Sequence, residues 1–254
     1  MLDLLKHLPG VSTTVPVFVI GTGRSGTHWL GYSLGDHPEV RATIEKDPMF
    51  RLATRMAVDP RLEKKLFSKL VTTYRWQLFL SSPRLYLDKS HPNIWLAEKL
   101  KRFFPRALFV GIERNPYATV ASMIQHPGVS AWHQRWRDLP VPNRFLGITP
   151  EIVDAYGEMP LAAKCALRWI AHHDRIRQLQ STLGASLLAI SYETFAENTQ
   201  GVIRELQRFL GLRQPIPSPE VKTDSLHKWE RLLSDAQIAQ VQEIVGFPPK
   251  SVRG

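Results

Sequence analysis

The chain has one cysteine, Cys165, among its 254 residues. A single thiol excludes an internal disulfide and suits a reducing compartment. No apolar run approaches the ~20 residues that a helix needs to cross a bilayer. Met1 to Thr14 contains leucines but no extended apolar stretch of the signal-peptide kind. There is no internal repeat and no low-complexity tract. Helix-turn-helix, zinc-finger and RNP-type signatures are missing, which argues against a nucleic-acid-binding module. No His/Cys cluster has metal-ligand spacing, so no metal is expected.

What is present is ordinary in bulk. Hydrophobic residues make up 43% and charged residues 22%, the balance of a globular protein. The length suits one α/β domain with a sizeable core. One bias stands out: 33 Lys and Arg against 23 Asp and Glu, a net charge of +10. Such an excess attracts anions, although much of it can simply be solvated surface.

The segment from Val17 to Leu30 reads as a buried strand, a glycine-rich turn and a helix start. A turn of this kind gathers backbone N–H groups at the positive end of the helix dipole and so cradles phosphate. Gly21 and Gly26 have Walker A spacing, but Thr27 stands where that loop carries its lysine. The loop's cation is Arg24 instead. A kinase needs the lysine on the β- and γ-phosphates, and the strand ending Glu113-Arg114 offers no Walker B aspartate. A P-loop nucleotide kinase is therefore the weaker reading, as is a non-enzymatic anion- or nucleic-acid-binding protein.

Further apolar runs at Leu85–Asp88, Ala107–Ile112 and Ser186–Ser191 predict strands. Helices are predicted after the glycine loop and over 61–80, 94–104, 117–124, 162–180, 202–210 and 235–245. Residues 128–159 read as an irregular excursion rich in Pro, Gly and Trp. Strands alternating with helices imply right-handed crossovers and a doubly wound parallel sheet, with ligands at the carboxyl ends of the strands. Arg24, Asp88-Lys89, Arg114 and Tyr192 all fall at or just beyond predicted strand ends.

Four motifs in order resemble the sulfotransferases that use 3′-phosphoadenosine 5′-phosphosulfate (PAPS). They are Arg24-Ser25-Gly26-Thr27-His28-Trp29-Leu30 with His37-Pro38-Glu39-Val40, Arg114-Asn115-Pro116 with Ser122, Ser191-Tyr192-Glu193 with Phe209-Leu210-Gly211-Leu212, and His227-Lys228-Trp229. Asn115 replaces the family's usual Asp, and His28 its second Thr. The resemblance implies a P-loop-like single domain over 1–254, with an N-terminal segment at 1–14 and an acceptor-side lid at about 128–160. It implies sulfuryl transfer from PAPS to a hydroxyl or amine, with adenosine 3′,5′-bisphosphate (PAP) as product. Without the membrane anchor of Golgi relatives, a cytoplasmic protein is expected.

The resemblance also assigns roles. Gly23, Arg24, Ser25, Gly26, Thr27 and His28 would hold the 5′-phosphosulfate, and Arg114 with Ser122 the 3′-phosphate, while Tyr192 and Lys228 would touch the nucleotide. Lys89 would approach the bridging oxygen of the leaving group. An attacking acceptor must lose a proton, so a general base is needed. Glu45 and His91 compete for that role, Glu45 slightly favoured, with Asp47 a third candidate. Trp132, His133, Arg135, Trp136, Arg137, Arg144 and Phe145 suit a lid over a hydroxyl-bearing acceptor that is polar, anionic or sugar-like, but whether it is glycan, lipid, phenol or peptide is not written in the motifs.

Overall fold

The computed structural model describes residues 14–217 and 224–248. Apart from Thr14, the expected N-terminal segment at 1–14 lies outside the described residues. Five strands form one parallel sheet: β1 (Pro16–Gly21), β2 (Val40–Ile44), β3 (Leu85–Lys89), β4 (Leu108–Glu113) and β5 (Leu187–Ser191), in the order β2-β3-β1-β4-β5. The central strand β1 is buried along its whole length. Covering on both faces explains its near-continuous apolar sequence.

The crossovers are helical. α1 (Thr27–Gly35), α2 (Met49–Val58), α3 (Glu63–Ser81), α4 (Ala97–Phe103) and α5 (Pro116–Ile124) come first. They are followed by α6 (Pro127–Gln134), α7 (Val153–Tyr156), α8 (Leu161–Leu183), α9 (Tyr192–Glu197) and α10 (Thr199–Leu210). Short α11 (Asp224–His227) and α12 (Trp229–Leu232) lead to α13 (Asp235–Val245). No helix among the described residues is long and apolar enough to span a bilayer.

Strand side chains alternate between two cores. Phe18, Ile20, Tyr86 and Phe109 pack against α2, α3, α4 and α8. Val17, Val19, Leu87, Val110 and Ile112 pack against α1, α9 and α10. The chain leaves β1 toward β2 on one side and later returns to β4 on the other. The loops after β1 and β4 therefore diverge and open a crevice at the carboxyl edge.

Two parts of the sequence reading need correction. Residues 128–159 are irregular over 139–152, but they also hold most of α6, a 3-10 turn over Trp136–Asp138 and α7. Their aromatic side chains close a small core of Trp136, Phe145, Leu146, Ile148 and Tyr156 against Ala57 and Val58. Burial of that cluster outweighs the Pro and Gly breakers. Strand β2 and helix α2 are additions to the expected elements. β2 is a partly exposed edge strand that carries Arg41 and Thr43 and lacks a buried strand's apolar run.

Candidate active site

The loop after β1 folds as a cradle because two glycines remove clashes. A Cβ on Gly21 (φ +153°) would sit 2.5 Å from the Ile112 carbonyl oxygen. On Gly26 (φ +95°) it would sit 2.6 Å from the Tyr192 ring. Ser25 is buried, and its N–H (3.2 Å) and hydroxyl (2.5 Å) both donate to the Thr22 carbonyl, so it closes the turn from within. Thr27 opens α1 and is also buried. Arg24 adopts φ +79°, a left-handed conformation that is costly outside glycine, and leaves its side chain exposed.

Arg24 and Arg114 meet across the crevice. Arg24 Nε donates to Ser122 Oγ at 3.2 Å, and Arg114 Nη1 lies 3.4 Å from the Arg24 carbonyl oxygen. Arg114 Nη2 donates to the Ser225 carbonyl at 2.5 Å, and its guanidinium lies 4.7 Å over the Tyr192 ring. Arg114 Nε is buried without a partner. Burial lowers the Arg114 pKa from its usual value. At the start of α5, Asn115 Oδ1 accepts from the N–H groups of Tyr117 (2.9 Å) and Ala118 (3.2 Å). Asn thus does the capping work an Asp would do there. Glu193 Oε1 accepts from the Asn115 N–H at 2.9 Å and ties the ends of β4 and β5 together. Tyr192 therefore opens α9, its ring buried beneath the loop and its hydroxyl 2.7 Å from Ser225 Oγ.

The sheet's other half supplies a second cluster. Glu45 follows β2 with φ +46°, and its N–H donates to the Lys89 carbonyl at 2.8 Å. Its Oε1 accepts from Lys89 Nζ and, at 3.0 Å, from His91 Nδ1. Its Oε2 faces His28 Nε2 at 3.3 Å. Lys89 Nζ also donates to His28 Nδ1 at 2.9 Å. An ammonium only donates, so His28 Nδ1 accepts and the His28 proton sits on Nε2, toward Glu45. By the same reasoning His91 carries its proton on Nδ1. Burial pushes the Glu45 carboxyl up, but hydrogen bonds from His28 and His91 and the nearby Lys89 charge outweigh it and hold the group well below the usual carboxylate range. Burial lowers Lys89 to about 8 against the opposing pull of Glu45. Burial likewise lowers His91 to about 4. At neutral pH Glu45 is a carboxylate, Lys89 an ammonium and His91 a neutral imidazole.

Lys89 reaches this cluster with its side chain buried because α1 gives it room. A Cβ on Gly31 would lie 3.1 Å from Lys89 Cβ and Cγ. Asp88 points to the opposite face, as strand alternation requires. There it accepts from Thr43 (3.0 Å), Tyr74 (2.9 Å) and Asn93 (3.0 Å). Burial raises Asp88 to about 6. Lys89 is therefore not simply the ion-pair partner of its neighbour.

A cavity of about 280 Å³ is lined by Gly23, Arg24, Thr27, His28, Glu45, Lys89 and His91; of the first cluster Arg24 borders it, while Arg114, Ser122, Tyr192 and Lys228 do not. Its far wall is Phe50, Thr54, His126, Gly128, Val129, Trp132, Phe145 and Arg168. Part of the expected lid thus does border the site. Sequence pattern alone does not single out Arg168, His126 or Phe50. Arg168 lies inside the long amphipathic helix α8, where a cation reads as solvated surface, yet it is 3% exposed. Asp47 is not among the lining residues; it is exposed and lies 3.8 Å from Arg51. Lys228 is exposed, beside buried Trp229, which packs on Tyr117 at 5.2 Å between ring centres. No group of three or more His, Cys, Asp or Glu suited to a metal occurs among the described residues.

A family profile described as "Sulfotransferase family" matches residues 16–215. No curated protein matches the chain by sequence. Among solved structures, the sulfotransferase domain from the curacin biosynthetic pathway superposes with a TM-score of 0.61 at 16% identity, over 95% of this chain and 99% of that one. The sulfotransferase domain of the Synechococcus PCC 7002 olefin synthase gives 0.54 at 15% identity, over 93% and 96%. A sulfotransferase from Alicyclobacillus acidocaldarius gives 0.50 at 15% identity, over 92% and 96%. At these identities the likeness is one of fold.

Proposed function

The chain belongs to the sulfotransferase family and is a PAPS-dependent enzyme of the P-loop-like α/β fold, and from that premise we propose that the cavity lined by Arg24, Glu45 and Lys89 transfers a sulfuryl group to an acceptor hydroxyl or amine. The observation that carries this reading is the Glu45–Lys89–His28 cluster set against the loop that presents Arg24. PAPS supplies the sulfuryl group and a stable leaving group.

The residues fit such a nucleotide. Arg114 has a buried Nε without a partner, beside Arg24 and Ser122. An Arg and a hydroxyl facing one opening form a ready oxyanion clamp. Gly23, Arg24 and Thr27 of the loop border the cavity where the 5′-phosphosulfate would sit, while buried Ser25 closes the turn from within.

Proton and charge movements then follow from the second cluster. Glu45 is the general base. Its Oε1 already accepts from Lys89 and His91, whereas Oε2 faces only His28 and keeps lone-pair capacity for an acceptor O–H or N–H. Lys89 serves as the cation for charge that develops on the leaving oxygen. As Lys89 turns toward that charge, Glu45 loses its ammonium partner and its proton affinity rises. His28, hydrogen-bonded to both groups, and His91, donating to Glu45, are positioning residues.

The test is a thermal-shift comparison of PAP with ATP·Mg, followed by an assay of PAP release from PAPS with a panel of phenols, sugars and amines. Stabilisation by PAP and not by ATP·Mg supports the reading, since a ligand of the native state raises stability by mass action. Stabilisation by ATP·Mg alone overturns it.

A further inference from the structure

Arg168 is a buried cation that the proposed chemistry leaves unused. Its side chain projects from α8 into the cavity wall and is 3% exposed. Both Nε and Nη1 are buried without hydrogen-bond partners. No ion pair reaches it among the described residues. The Phe145 ring lies 4.4 Å from its guanidinium carbon, the contact that holds it in place. The titratable groups that bear on it are Cys165 and Tyr156, both neutral at ordinary pH. It in turn opposes protonation of His91, His133 and His172. A buried guanidinium with no carboxylate paired to it is unfavourable unless an anion joins it.

The remaining lining describes what that anion is attached to. Phe50, Val129, Trp132 and Phe145 give the cavity apolar and aromatic lining, with Phe145 against Arg168 and Trp132 packed on Phe145. Glu45 stands in the same cavity. A molecule filling the cavity can therefore offer a nucleophile to Glu45 and an oxyanion to Arg168.

We propose that Arg168 recognises an acidic group on the acceptor, so that the acceptor is an apolar or aromatic hydroxyl compound bearing a carboxylate or a phosphate or sulfate ester. This rests on reading the cavity as the acceptor site of a sulfotransferase. A guanidinium suits these oxyanions because two of its N–H groups can bind two of their oxygens at once. Arg168 is thus a specificity residue on the acceptor side, distinct from Arg24 and Arg114 on the nucleotide side.

The experiment uses the full chain saturated with PAP, so that an oxyanion cannot score by entering the nucleotide site. Calorimetric titration compares benzoate, 4-hydroxybenzoate and phenyl phosphate with benzamide and 4-hydroxybenzyl alcohol. It is run on the wild type, Arg168→Met and Arg168→Lys. At least one anion is expected to bind tenfold or more tightly than its neutral counterpart. That preference should vanish in Arg168→Met and survive in part in Arg168→Lys. In the absence of probes, Arg168→Met should melt no lower than the wild type, because it removes an unpaired buried charge; a merely structural arginine predicts a lower melting temperature. The proposal fails if no anion outbinds its neutral counterpart, or if the preference persists in Arg168→Met. It also fails if Arg168→Met loses PAP affinity, which would make Arg168 a nucleotide ligand. Should Arg168→Met not fold, the wild-type preference and its reduction in Arg168→Lys decide the matter. Failure of the wild type to bind PAP at all would instead overturn the reading of the site as a sulfotransferase centre. Carboxylate against phosphate ester is settled by which probe binds more tightly.

Discussion

Glu45 and Lys89 are joined twice, once through the backbone, where the Glu45 N–H meets the Lys89 carbonyl at 2.8 Å, and once through their side chains. The first link fixes where the carboxylate sits. The second holds it ionised beside an ammonium that, in the proposed reaction, meets the charge developing on the leaving oxygen.

Replacing Glu45 with Gln keeps the volume and removes the proton acceptor. Turnover should fall by roughly 10²–10⁴, with PAP affinity near wild type. His91→Asn should cost less, since His91 donates to Glu45 and only steers it. Single-turnover rates with one acceptor, alongside PAP titrations, separate the two. A larger loss in His91→Asn would transfer the role of base to His91.

Lys89 lies near pKa 8, depressed first by burial. Its charge is present below that value and lost above it, so kcat should decline as pH rises through about 8. Lys89→Arg retains the charge at all accessible pH. Its absolute rate should be lower, because guanidinium and ammonium differ in shape, but its alkaline limb should move to higher pH. An unchanged limb in that variant would assign the decline to another group.

Arg114→Ala should weaken PAP binding by about 1.5–3 kcal/mol, the cost of a lost charge-assisted contact. The expected clamp is remote from the transferred group, so it acts similarly in ground and transition states. The loss should therefore appear in KM for PAPS and in PAP affinity far more than in kcat. Calorimetry with PAP checks it; unchanged affinity removes Arg114 from the clamp.

Gly26→Ala should impair folding and nucleotide binding together. The new methyl would meet the Tyr192 ring at 2.6 Å in a backbone region that disfavours a side chain. Tyr192→Ala in the same chain should restore part of the stability by clearing the ring, which denaturation of the single and double variants would show.

Asp88 offers a stability test away from the chemistry. Its folded pKa is raised to about 6 from 3.8, first by burial. The stabilisation from its neutral form is complete below the unfolded value and is lost as pH rises through about 6. The gap between folded and unfolded values makes that loss roughly 3 kcal/mol. Asp88→Asn should therefore gain relative stability over the wild type as pH rises from about 3.8 to about 6, the interval between the unfolded and folded values. Parallel denaturation midpoints for the two proteins across that range would contradict this.

Most of the sheet was legible because β1 and β4 are buried on both faces and bounded by Pro or Gly, as periodicity arguments require. Arg24, Arg114 and Ser122 lie in short contiguous motifs, and the fold brings them into contact with one another; their hold on a nucleotide is part of the proposal. The positions of Glu45, Lys89 and His91 were readable one by one, but their mutual contact was not. That contact depends on β2 pairing with β3, and β2 has too mixed a pattern to announce itself. His28 is expected at the phosphate from its motif, yet its ring bridges Lys89 and Glu45, because the first turn of α1 aims it at β3. Arg168 escapes notice because helical spacing alone cannot tell a buried cation from a solvated one. In residues 128–159, Pro and Gly signal breaks while the Trp, Phe and Tyr residues build a core, and only the tertiary partners Ala57 and Val58 reveal which signal prevails.

Strand β3 places a carboxyl and an amine on consecutive residues and sends them to opposite faces of the sheet. Asp88 is sealed among hydroxyls and an amide, and Lys89 enters the reactive cluster. A slip of β3 by a single residue against β1 would exchange them. Slipped one way, an acid comes to face Glu45; slipped the other way, an ammonium is stranded beneath Tyr74. The charge pattern of the proposed centre is thus a matter of strand registration: an insertion or deletion in this strand would change it even if the sheet re-formed around it.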